Sequence, residues 1–339
     1  MKNFAKIIDI AGYLPKNTLT NSILGDLYKG WSADKIFEKT GISTRHIAGP
    51  EETAGDLAYE AAETLFAQGR ANKADVDFLI FCTQAPDYIL PTTACILQNR
   101  LQLSTSIGAV DINLGCSGYV YSLSLAKGLI ESGAARSVLI LTADTYSKYI
   151  NPLDKSVRTI FGDGASATIV QGVESTKPLI GPFIFGTDGS GANNLIVPGG
   201  LFRLPSSGKT SQIIEDESGN ARSADDLYMN GAEVMSFSLR EVPKAINNLL
   251  EKSGLSKESI DFFVLHQANR FMLQALSKKM KLKEDRLPIL MENCGNTVSS
   301  SIPLAMLTMQ NRGDFQAEKQ LMLVGFGVGY SWAACLLTY

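Results

Sequence analysis

Histidine is almost missing from this chain: His46 and His266 are the only two in 339 residues. Any chemistry that needs an imidazole must therefore run through one of two positions. Cysteine is sparse too, and the five copies (Cys82, Cys95, Cys116, Cys294, Cys335) are odd in number and include no Cys-x-x-Cys pair. Set in apolar or motif-like surroundings, they suggest neither a disulfide framework nor a zinc site. Neither sign of charge dominates: 31 Lys and Arg against 34 Asp and Glu leave a net −3, which excludes a generally basic nucleic-acid binder. No window approaches the roughly 20 consecutive apolar residues of a membrane helix. The run after Met1-Lys2-Asn3-Phe4-Ala5-Lys6 is broken by Asp9 and has no signal-peptide core. The expectation is a cytoplasmic protein without a membrane or nucleic-acid partner.

What is present is a large core, with 45% hydrophobic and 19% charged residues. Strands are expected at 4–13, 76–81, 107–112, 138–141, 166–171, 179–185, 260–265, 287–291, 321–324 and 332–337. Between them, helical spacing marks 92–101, 118–133, 231–252, 269–279 and 296–311, and Thr53 is placed to N-cap a helix that ends near Gly69. Residues 186–226 lack periodicity and read as loop. Strands alternating with helices imply α/β layers with mostly buried strands.

The two halves echo each other. Asp77-Phe78-Leu79-Ile80-Phe81 with Gln84-Ala85 matches Asp261-Phe262-Phe263-Val264-Leu265 with Gln267-Ala268. Gly115 and Gly133 bracket one helix and Gly295 and Gly313 another, and 133−115 and 313−295 both equal 18. Such a pattern is left by internal duplication, here of halves 1–172 and 173–339. It sets Cys116 and Asn296 one residue past equivalent glycines, at the N-termini of equivalent helices. There, free N–H groups and the helix dipole would favour a cysteine thiolate. Taken alone, a Cys in an apolar strand–helix junction is as often a buried structural thiol, and Asn296 alone reads equally as a helix cap. With halves packed about a pseudo-two-fold axis the two ends face each other. His266, at the end of a buried strand where open α/β sheets place ligands, joins them in one candidate site.

At these positions the sequence closely resembles the ketoacyl synthase III family of the thiolase superfamily, over essentially its whole length. The marks are Thr40-Gly41-Ile42 with Arg45-His46-Ile47-Ala48, Gly115-Cys116-Ser117-Gly118, Phe161-Gly162-Asp163-Gly164-Ala165, His266-Gln267-Ala268-Asn269, Gly295-Asn296-Thr297 and Gly325-Phe326-Gly327-Val328-Gly329. The resemblance implies a thiolase-like five-layered α-β-α-β-α fold, a homodimer and a Cys116–His266–Asn296 triad. Elongating condensing enzymes use two active-site histidines and thiolases a second catalytic cysteine, so neither branch fits. Cys116 would take an acyl group from a thioester, with the backbone N–H groups of Cys116 and Val328 as oxyanion hole. His266 and Asn296 would stabilise the enolate left when malonyl-acyl carrier protein loses carbon dioxide. No metal or organic cofactor is implied, and acyl carrier protein is the implied partner.

Further implied contacts depart from the family pattern. Lys35 aligns where many members carry an adenine-stacking Trp, although Trp31 is near. Lys155 takes the place of a stacking Arg, with Arg158 nearby. Ala232 follows Gly231 where Asn is usual, and Arg270 sits one place before the usual carrier-binding Arg, which is Phe271 here. Lysine cannot stack as Arg or Trp does, which puts a coenzyme A donor in doubt. Asn269 and Gly231 complete the expected carrier-protein or coenzyme A contacts. Leu90 aligns with the residue that floors the partner's acyl pocket across the dimer, and Phe326 is expected at that pocket. The reading is initiation of fatty acid synthesis. Its alternatives are a specialised homologue in secondary-metabolite or surface-polysaccharide synthesis, and a non-catalytic acyl-binding subunit, which would be expected to lose Cys116 or His266.

Overall fold

A computed structural model describes residues 2–315 and 318–339. The apolar run Phe78–Cys82 forms the inner strand of a five-stranded sheet. It lies parallel to Gly108–Ile112 on one side and Ser137–Asp144 on the other. Gly164–Ser175 and then Lys2–Tyr13 extend the sheet antiparallel. The second sheet repeats the order with one strand fewer. Phe262–Leu265 is parallel to Gln320–Gly327, followed antiparallel by Ser331–Thr338 and Ile180–Thr187. The repeat extends to single hydrogen bonds. The Asp77 N–H donates to the Ser137 carbonyl (2.9 Å) and its carboxylate accepts the Ser137 N–H (3.1 Å). Asp261 does the same with Gln320, at 2.8 Å each way.

Side-chain alternation along these strands sets the layers. Ile80, Val138, Val264 and Leu321 point to a shared interior filled by Val120, Leu123 and Ala126 of helix Gly118–Glu131 and by Ile302, Met306 and Met309 of helix Ser301–Arg312. Leu79, Phe81 and Leu139 point outward onto helices Ala54–Ala67 and Thr93–Arg100. Phe263 and Met322 point outward onto helices Gly231–Ser253 and Arg270–Met280. The result is five layers, α-β-α-β-α. Thr53 caps its helix as expected, in a reciprocal box with Asp56. Beyond the end of strand Ile180–Thr187, residues up to 226 hold the 3₁₀ helix Gly189–Asn194 and short two-residue strands, such as Ile214–Glu215 paired with Ala221–Arg222. No helix among the described residues is long and apolar enough to cross a membrane.

Two expectations are corrected. Residues 287–291 form no strand. Pro288 lacks the N–H a ladder requires, and the Gln267 side chain stands in for a neighbouring strand. Its Oε1 accepts the Leu290 N–H (2.7 Å) and its Nε2 donates to the Pro288 carbonyl (3.3 Å). Asn296 also does not begin a helix. Winding starts three residues beyond each glycine (118−115 and 298−295), but in the second half it starts as the 3₁₀ turn Val298–Ser300, and the α-helix begins only at Ser301. Both helices end, as expected, at left-handed glycines, Gly133 (φ 82°) and Gly313 (φ 77°).

Candidate active site

Cys116 sits in the tight turn between strand Gly108–Ile112 and helix Gly118–Glu131, closed by the Gly118 N–H on the Gly115 carbonyl (2.8 Å). Other backbone presses on this turn so closely that glycine is required. A Cβ on Gly325 would lie 2.6 Å from the Cys116 carbonyl oxygen, and one on Gly327 2.8 Å from the Cys116 sulfur. Ser117 Oγ, 2.8 Å from Ser331 Oγ, ties the turn to the second sheet. The thiol is buried. Burial pushes it up to about 12, while the N–H groups of Val328 and of Cys116 itself pull it down. The resting group is thus a thiol and not the thiolate expected from a helix terminus. Cys116 lies two residues ahead of the helix, where desolvation outweighs the dipole.

His266 ends strand Phe262–Leu265 and is fully surrounded, with Phe326 edge-on to its ring at 5.7 Å. Burial drives its pKa down to about 3, so the ring is neutral at physiological pH. Its Nδ1 is 2.7 Å from Ser301 Oγ, and its Nε2 is 3.4 Å from Asn296 Nδ2. Asn296 is held by its main chain to the first half: its N–H donates to the Ile160 carbonyl and its own carbonyl accepts the Gly162 N–H, both 3.0 Å. The Val298 N–H holds Asn296 Oδ1 (2.9 Å), which turns the amide nitrogen toward His266. Beneath this crossing lies Arg45, fully buried and donating to the Thr159 carbonyl and to Asn21.

Three successive buried serines brace the site. Ser299 donates to Asp144, Ser300 to the Thr142 and Gly164 carbonyls, and Ser301 meets His266. Sequence reasoning missed their roles. The signal was a polar triplet opening an otherwise apolar helix, since buried hydroxyls require partners. Asp144 also accepts the N–H of Gln84 (2.8 Å), whose side chain packs on Gly115, and so anchors both turns. Burial pushes the Asp144 carboxyl up to about 7 against these donors. A folded pKa above the unfolded value of about 3.8 means that the native state holds the extra proton between the two. Its stabilising contribution is complete below the lower value and lost as pH rises through about 7. The melting-temperature difference between wild type and Asp144→Asn should therefore shrink from about pH 5 to about pH 8. A constant difference in thermal unfolding would contradict this ionisation.

Cys116, His266 and Asn296 together line a cavity of about 200 Å³, with Phe326, Asn269 and Gly231 also on its wall. Leu195 is shared with a larger cavity of about 720 Å³, whose wall includes Val328, Tyr146, Tyr149, Tyr88 and Phe202. Other expected contacts lie elsewhere. Lys35 donates to the Gly30 carbonyl (2.8 Å) over the Trp31 ring, and Lys155 to the Ser218 (2.6 Å) and Gly219 (2.8 Å) carbonyls. Arg270 stacks on Phe37 and reaches Gly41 and Glu292, while Asn269 caps the helix through the Met272 N–H. None of Lys35, Lys155 and Arg270 lines either cavity. Leu90 is 79% exposed and also lines neither cavity.

Duplicated layers with a cysteine on one half, and a histidine and an asparagine on the other, define a condensing enzyme of thiolase fold. Residues 110–189 match the 3-oxoacyl-[acyl-carrier-protein] synthase III family and residues 250–339 its C-terminal part. A beta-ketoacyl-[acyl-carrier-protein] synthase III of Caldanaerobacter subterraneus is 34% identical over 99% of this chain and 98% of its own. Two solved structures align over 99% of the chain. One is a 3-oxoacyl-(acyl-carrier-protein) synthase III (63% identity, TM-score 0.98, all of that chain). The other is the 3-oxoacyl-(acyl-carrier protein) synthase of Burkholderia xenovorans (38%, 0.90, 94% of that chain). The chain belongs to the 3-oxoacyl-[acyl-carrier-protein] synthase III family of acyltransferases.

Proposed function

We propose that this chain is a 3-oxoacyl-[acyl-carrier-protein] synthase III that joins a primer acyl group to a malonyl unit and so initiates fatty acid synthesis. The observation that carries the reading is one cavity lined by Cys116, His266 and Asn296, with His266 Nε2 and Asn296 Nδ2 3.4 Å apart. Cys116 attacks the donor thioester carbonyl, the oxyanion rests on the N–H groups of Cys116 and Val328, and the carrier leaves as a thiol with the cysteine's proton. A malonyl thioester then loses carbon dioxide. The electrons of the broken C–C bond form an enolate whose oxygen accepts from His266 and Asn296. Its carbon attacks the acyl-Cys116 carbonyl, expelling the Cys116 sulfur as a thiolate that takes a proton from water to restore the resting thiol, and leaving a 3-oxoacyl thioester. Each step uses side chains and N–H groups of the chain, with no cofactor.

The reading includes a homodimer in the cytoplasm and acyl carrier protein as the source of malonyl. Supporting the dimer, strand Gly108–Ile112 has an outer edge unpaired among the described residues with Val110 exposed, and Tyr88, Ile89 and Leu90 are exposed nearby. Supporting the carrier, Lys278, Lys279, Lys281 and Lys283 cluster around the end of helix Arg270–Met280, suited to an acidic partner. The larger cavity beside Val328 suits the primer's acyl chain. A carrier-bound primer is favoured over a coenzyme A thioester, because Lys35 and Lys155 are already engaged and neither can stack on adenine. Incubation with acyl donors of several lengths, each on coenzyme A and on carrier protein, should add the acyl mass to Cys116 in intact-protein mass spectrometry, faster from the carrier. No adduct from any donor would sink the proposal.

A further inference from the structure

The environment of His266 Nδ1 determines which ring nitrogen carries the proton. Ser301 Oγ lies 2.7 Å from Nδ1 and already accepts the Gln267 N–H (3.4 Å). Its own proton has no other hydrogen-bond acceptor among the described residues. Donation from Ser301 to Nδ1 satisfies every group, whereas an Nδ1–H would fill the second lone pair of the same oxygen and leave the buried Ser301 proton without an acceptor. We infer that Ser301 is a positioning residue that holds His266 as the neutral Nε2–H tautomer.

Resting on the reaction proposed above, the inference explains how the donor pair stays available. Asn296 Oδ1 is committed to the Val298 N–H, so its Nδ2 side faces His266 Nε2 at 3.4 Å. With the proton on Nδ1, Nε2 would be a lone-pair acceptor and Asn296 would simply donate to it, consuming both groups. With the proton on Nε2, the two donors cannot satisfy each other. They converge instead on any oxygen brought between them, which here is the carbonyl oxygen of the malonyl thioester as it becomes an enolate. The same tautomer leaves Nε2 unable to take the Cys116 proton, so His266 serves condensation and not acylation.

The scarcity of histidine makes the inference readable. His46 Nδ1 is 2.6 Å from the Pro15 carbonyl, which can only accept, so that ring carries its proton on Nδ1. In the full-length protein labelled with ¹⁵N-histidine, two imidazoles of opposite tautomer are expected, assigned with His46→Gln. A wild-type His266 protonated at Nδ1 overturns the inference, and needs no variant to fold. Ser301→Ala is expected to shift His266 toward Nδ1–H and to lower the condensation kcat at least about tenfold. Acylation of Cys116 should change by less than about twofold, and Ser301→Thr should restore tautomer and rate together. An unchanged tautomer in Ser301→Ala, whatever the rates, is equally fatal. Absence of any adduct on wild-type Cys116 would refute the proposed reaction instead, and leaves the tautomer measurable.

Discussion

Cys116→Ala takes up no acyl group and loses about 10³-fold or more in condensation, with its fold intact. The size follows from losing the only atom that can hold the primer; what survives is polarisation by the remaining donors, which is small without a covalent intermediate. The fold survives because the substitution removes one buried sulfur and adds nothing. The cost is about 1 kcal/mol: the main chain of Cys116 and Ser117 still faces Gly325, and the Cβ that faces Gly327 is kept. Intact mass, condensation rate and melting temperature, measured together, check all three points. Residual adduct at another of the five cysteines would move the nucleophile elsewhere.

Asn296→Ala separates the two halves of the reaction. Nδ2 is absent from the proposed acylation step, where the oxyanion rests on the N–H groups of Cys116 and Val328. It is present in the decarboxylation step, as one of two donors to the enolate. Losing one such donor costs about 10²–10³-fold, so decarboxylation of malonyl carrier protein should fall by that factor while acylation of Cys116 stays within a few-fold. Stability should fall as well, by about 1–3 kcal/mol, because the Val298 N–H loses Asn296 Oδ1 in a buried place. Rapid-quench acylation set against carbon dioxide release makes the comparison. Equal loss in both would contradict the role assigned to Asn296.

The parts legible in sequence were those with a period or a repeat. The paired runs at Asp77 and Asp261 announced two equivalent strands, down to the aspartates that close them. The glycine brackets then brought Cys116 and Asn296 to the same wall. What was hidden depended on side chains doing the work of backbone. Residues 287–291 have strand-like composition, yet one proline and the Gln267 amide replace the ladder. A run of serines gives no period, so Ser301 was invisible until His266 was seen against it. Cys116 read as a thiolate because a helix follows it, while the degree of burial that reverses this comes from strand Gln320–Gly327, some two hundred residues away in sequence. Lys155 was named because it aligns with a stacking Arg of the family, and nothing in the chain order announces its two carbonyl partners at Ser218 and Gly219.

The glycines around Cys116 also bear on how such a protein diverges. Since the sulfur's surroundings are woven from main chain, a single codon change can silence the enzyme and leave its shape whole, whereas shifting the nucleophile by one place would require the strand crossing at Gly325 and Gly327 to be rebuilt. Descendants that keep this outline without its chemistry therefore lie one step away, and descendants with a relocated centre lie many steps away. A gene duplicate of this chain is better placed to become a binding subunit than a new kind of catalyst.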